Sequence, residues 1–145
     1  MPDRSALGPA AETSGGPSGG PARVLVLLYG IFALAAGARA AVQLSTRFSD
    51  APLAYLLSAM AALVYVVATV GLARGGRTGR LTALAAITVE LVGVLVVGTL
   101  SLADPAAFPD ETVWSGYGRG YGFVPLVLPV LGLLLLRATG RRGTG

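Results

Sequence analysis

Four stretches of this chain, about Val24–Leu44, Ala51–Ala73, Leu81–Leu102 and Gly120–Leu136, are apolar almost without interruption. They run 21, 23, 22 and 17 residues. A helix needs about 20 apolar residues to cross the hydrocarbon core of a bilayer, with about 17 as the lower limit. Lipid offers no water to the backbone, so each stretch must close its own hydrogen bonds as a helix. The expected fold is therefore an all-α membrane protein, a bundle of four transmembrane helices. The alternative, four buried helices of a water-soluble domain, fails on charge. Charged residues make up 12% of the chain and hydrophobic ones 54%, whereas a soluble domain carries about 25% charged residues to coat its surface.

Local signals punctuate these stretches. Asp50 stands where it can cap the second helix, and Pro52 falls in the first turn, where a missing N–H does no harm. Asp104-Pro105 marks the end of the third. Residues 1–22, rich in Gly, Pro, Ser and Ala, read as a disordered tail. They lack the early apolar core of a secretory signal, so the first helix is expected to be retained. The helical domain spans 23–137, and 138–145 form a basic tail.

Arginine placement sets an orientation. Arg4, Arg23, Arg74, Arg77, Arg80, Arg137, Arg141 and Arg142 fall on one side, against Arg47 and Arg119 on the other. The positive-inside rule puts both termini and the Arg74–Arg80 connection in the cytoplasm, and the protein in the cytoplasmic membrane.

Composition removes most chemistry. Cys and His are both absent, which excludes disulfides, thiolate nucleophiles, zinc sites of the usual kind and imidazole acid–base work. The seven acidic residues form no dense cluster. No enzyme activity, cofactor or metal is expected. All 11 basic residues are Arg, a pattern read as GC-rich coding bias. The pI of 10.1 does not point to nucleic acid, because no basic patch with interleaved aromatics accompanies it.

Two charges interrupt the apolar stretches: Arg39 in the first and Glu90 in the third. A charge near the bilayer centre costs about 2.5–3.5 kcal/mol on insertion scales, so each needs a partner or a task. The first and third helices run the same way, and the Arg39 side chain leans back toward the midplane. The favoured reading is a structural Arg39–Glu90 pair that fixes helix register. Arg39 snorkelling to the surface is a second reading. A working site, with Glu90 carrying protons or Arg39 binding an anion, is a third. Gln43 follows Arg39 by one turn and extends a polar seam. Ala83, Ala86 and Gly93 share the face of Glu90 and admit a close neighbour helix. Gly37 with Ala41, and Ala54 with Ser58 and Ala62, read as helix packing or a dimer face.

Residues 103–119 form the one sizeable loop, carrying Phe108, Trp114 and Tyr117, with Tyr121 just beyond. Such residues suit the headgroup level, so an interfacial loop is expected, with a lid over the charged pair as the alternative. The run Thr112–Gly118 is no potassium filter, since two residues interrupt the motif and the pore helix is missing. Gly116–Gly122 lacks the GK[ST] of a phosphate loop. Pro125 and Pro129 share one face of the last helix and predict a kink there.

An Arg-bearing first helix, then APLAYLLSA, VELVGVLVVGTLSL and the DP…FPD…TVWS…GYGFVPLVLPVLGL stretch, resembles uncharacterised four-helix integral membrane proteins of actinomycetes. The resemblance covers about residues 23–137. It implies a shared topology and carries over no activity and no functional residues. The expected role is structural, accessory or partner-binding, with the lipid bilayer and a homodimer or other membrane protein as partners. The alternative is a proton-coupled transporter of a small or lipophilic solute, working as a dimer around Glu90. Small drug exporters also use a membrane glutamate, but theirs lies in the first helix.

Overall fold

The computed structural model describes residues 20–142, with side chains through Gly140. Four long helices account for most of it: α1 (Gly20–Thr46), α2 (Pro52–Arg74), α3 (Gly76–Ala103) and α4 (Val124–Arg142). The first three are long and apolar enough to cross a membrane. A bent pair, the 3-10 turn Ser115–Tyr121 plus α4, makes a fourth span if counted as one. Of the expected tails, residues 1–19 and 143–145 lie outside the described part. Residues 20–22 already belong to α1, and α4 runs on through 138–142.

The helices outrun their apolar stretches. The 28 residues of α3 span about 42 Å, beyond a hydrocarbon core of about 30 Å. Partition into lipid sets where the apolar residues lie, and it does not end a helix. So Gly76–Arg80, expected as a connection, forms the first turns of α3. The turn itself shrinks to Gly75 and Gly76, with φ of 64° and 69°, a backbone region that only glycine enters freely. Beside it the two helices touch backbone to backbone. A Cβ on Gly71 would stand 2.8 Å from Ala83 N, and one on Gly79 would stand 2.7 Å from Gly71 O.

Pro52 opens α2 as expected, yet Asp50 does not cap it. Ala51 occupies the cap position without a side-chain hydrogen bond. Asp50 closes the preceding 3-10 turn and pairs with Arg47 at 3.2 Å. The bend of the last span is also displaced. Ser115–Tyr121 meets α4 at 99°, and the break falls at Gly122 and Phe123, both at positive φ (63° and 61°), not at the prolines. Pro125 sits in the first turn of α4, where no helical bond is lost. Pro129 is inside the helix, and both rings are buried.

In chain order each long helix packs on the next, and α4 returns to touch α1. This ring leaves α1 and α3 facing each other across the bundle. Outside the ring, leucines such as Leu27, Leu34 and Leu63 are exposed, the surface expected of helices whose solvent is lipid. Inside it, one core cluster joins Tyr29, Tyr65, Ile87, Val94 and Leu128 to Val113 and Trp114 from the loop.

Candidate functional site

Glu90 lies at the midpoint of α3 and is 0% exposed. Its partner is not Arg39. Tyr29 of α1 donates its hydroxyl to Glu90 Oε2 at 2.6 Å across the bundle. Among the described residues the ion pairs are Arg47–Asp50 and Arg119–Glu111, and Arg39 takes part in neither. The physical reason is depth. Arg39 stands six residues past the midpoint of α1, about 9 Å toward the 103–123 loop. Its half-buried guanidinium donates from Nη1 to the Tyr121 hydroxyl at 2.8 Å. The expected pair is thus resolved into two charge-to-tyrosine contacts at different levels.

Around Glu90 the neighbours are aromatic. The Tyr29 and Tyr65 rings lie 6.1 Å apart, and Phe32 meets Tyr65 edge-on at 5.9 Å. Trp114 donates its indole N–H to the Tyr65 hydroxyl at 3.0 Å. This tryptophan is fully buried, so the interfacial reading of the loop fails at its most telling residue. Gly93, expected to admit a helix, admits the indole instead. A Cβ there would stand 2.7 Å from Trp114 Cη2.

The loop is built to hold that insertion. The Trp114 amide donates to Thr112 Oγ1 at 3.1 Å, and the Thr112 amide to Ser115 Oγ at 2.8 Å. The Gly116 amide then bonds Ser101 Oγ of α3 at 2.9 Å. Gly116, Tyr117 and Gly118 follow in left-handed conformation, with φ of 56°, 61° and 83°. For Tyr117 that conformation costs about 1–2 kcal/mol. Its ring lies against Gly98, and its hydroxyl meets Thr99 Oγ1 at 2.9 Å, contacts that offset the strain.

One polar deficit remains in the centre among the described residues. Glu90 Oε1 is buried without a hydrogen-bond partner. The Tyr65 hydroxyl accepts from Trp114, which leaves its own proton to give. Unpaired buried groups are rare and costly. Gln43 is likewise buried with Oε1 unpartnered, one turn beyond Arg39.

Nearer the loop surface, Tyr55 donates to Asp110 Oδ2 at 2.9 Å. That hydrogen bond holds the Asp110 carboxyl below its usual range, helped by its bond from the Glu111 amide and by the charges of Arg39 and Arg47. Chemically, the centre can bind or pass a proton. It offers no nucleophile–base pair, and no group of His, Cys, Asp or Glu able to hold a metal exists among the described residues.

Hydropathy and charge identified Glu90 and Arg39 but missed Tyr29 and Tyr65, and Trp114 was named only as a residue of the loop. A signal was present for one of them. Tyr65 lies near the midpoint of α2, too deep for a headgroup belt, and a buried phenol seeks a polar partner. No family model matches the chain, and neither a curated protein nor a solved structure matches it.

Proposed function

We propose that the chain is a four-pass protein of the cytoplasmic membrane, with both termini inside, serving a structural, accessory or partner-binding role and not an enzymatic one. The bent Ser115–Tyr121 and α4 pair is taken as the fourth span. The arginine excess at the end carrying the Arg74–Arg80 segment supports the orientation. The observation that carries the role is the burial of Glu90 at 0% exposure within a Tyr29–Tyr65–Trp114 surround that ties α1, α2, α3 and the loop together. The polar groups are largely spent on each other.

One observation favours the second reading, proton-coupled transport of a small or lipophilic solute by a dimer. Glu90 Oε1 has no partner while the Tyr65 hydroxyl still has a proton to offer. Reconstituted vesicles with a proton-sensitive dye separate the two. For a structural protein, wild type and Glu90→Gln show the same proton uptake, and the substitution moves only stability. Uptake that disappears in Glu90→Gln replaces the structural reading with the transport one. Orientation is tested independently by cysteines at exposed Ser49 and Thr78. The first is expected to label from outside and the second only after permeabilisation.

A further inference from the structure

A second polar feature lies at the opposite end of the bundle from the loop. A cavity of about 240 Å³ is lined from all four helices, by Ala22, Leu72, Arg80, Leu136 and Thr139, and by Gly75 in the turn. That is below the roughly 300–1,000 Å³ of pockets that hold drug-sized molecules, so a small group fits and a large one does not.

Arg80 is the one charged side chain in the lining. Its Nη2 donates to the Leu136 carbonyl at 2.8 Å, while its Nε is buried with no partner among the described residues. The guanidinium reaches this position because residue 140 is glycine. A Cβ there would overlap Nη2 and stand 2.9 Å from Cζ. As the charged group of the cavity wall, a guanidinium suits an oxyanion.

The described residues supply no such anion here. Arg23, Arg74, Arg77, Arg80 and Arg137 all belong to this end, and every carboxylate among the described residues is elsewhere. Leu72, Leu135 and Leu136 form the apolar part of the wall. An oxyanion bearing an apolar body matches both halves of the lining.

We propose that this cavity binds the phosphate headgroup of an anionic membrane lipid, with Arg80 as its principal ligand. The inference rests on the membrane placement proposed above but not on the role of Glu90. The shared chemistry is a phosphate oxyanion, and free phosphate is the other source the experiment must separate.

The full chain is reconstituted in nanodiscs of equal parts phosphatidylglycerol and phosphatidylcholine, and retained lipid is read by native mass spectrometry. Wild type is expected to keep phosphatidylglycerol in preference. That preference should fall about five-fold in Arg80→Gln, the weight of one arginine at an anionic headgroup. It should fall similarly in Gly140→Ala, which displaces the guanidinium without removing it and carries the test if Arg80→Gln does not fold. Arg77→Gln removes the same charge from the same end outside the cavity and should leave the preference nearly intact. An equal fall in Arg77→Gln would show diffuse attraction and overturn the site, as would equal retention of the two lipids. If lipid retention is equal but inorganic phosphate raises the melting temperature in detergent in an Arg80-dependent way, the ligand is free phosphate and the lipid assignment is wrong. A reversed labelling pattern at Ser49 and Thr78 would move the cavity to the other leaflet without touching its preference.

Discussion

The two ends of the bundle solve their connections with the same residue and opposite results. At the base, Gly71 and Gly79 let α2 and α3 touch backbone to backbone, and Gly75 and Gly76 supply a turn that leaves almost no loop. At the other end, Gly93 and Gly98 of α3 are recesses, filled by Trp114 and Tyr117 of a loop whose own glycines supply left-handed turns. Polar satisfaction differs in step. Near the loop, Arg39 bonds Tyr121, Arg47 pairs with Asp50, Arg119 with Glu111, and Asp110 takes the Tyr55 hydroxyl. At the base, the arginines make no ion pair among the described residues. The loop end meets its charges from within and leaves only Gln43 Oε1 unpaired, whereas the base arginines meet no carboxylate among the described residues.

The sharpest way to break this contrast is to empty the recess at Gly93. Trp114→Ala removes a fully buried indole and its bond to Tyr65, and should destabilise by about 3–5 kcal/mol, read by denaturant unfolding in detergent. A loss below about 1 kcal/mol would mean the loop end is held no more firmly than an ordinary surface loop.

A smaller effect tests which residue partners Glu90. A double-mutant cycle of Tyr29→Phe with Glu90→Gln should show a coupling of about 0.5–3 kcal/mol. The cycle of Arg39→Gln with Glu90→Gln should show nearly none, since the two share no contact. Strong coupling in the Arg39 cycle would restore the Arg39–Glu90 pair expected from the sequence alone.

The smallest effect is pH dependence at the loop surface. The Asp110 carboxyl is held low chiefly by the Tyr55 hydrogen bond. A folded-state value below the unfolded one adds stability above the ordinary carboxylate range of about 3.9, and that stability is lost as pH falls through the folded value. Asp110 is partly exposed, so the contribution is small. The melting-temperature gap between wild type and Asp110→Asn should therefore be present near neutral pH and close on acidification. A gap that widens in acid would contradict the Tyr55–Asp110 contact.

What hydropathy makes legible is which residues are helical and apolar, because transfer into lipid is a property of each residue summed along the chain. The cores of all four helices follow from it, as does the burial of Glu90. The start of α3 at Gly76 does not, since a helix continues past the last apolar residue wherever no steric or capping signal stops it. Asp50 shows the same limit: its side chain suits a cap, but the chain path gives that position to Ala51.

The amino-acid sequence by itself determined an all-α chain with several segments able to cross a membrane, an arginine-rich side, and a buried carboxylate that needs a partner. Only the tertiary structure decided that this partner is Tyr29, that Arg39 turns to Tyr121, and that Trp114 fills the place left by Gly93. The reason is geometric. Burial energy is nearly blind to how a helix is rotated or which neighbour it meets, whereas a hydrogen bond or a ring in a recess exists only at one rotation and one depth.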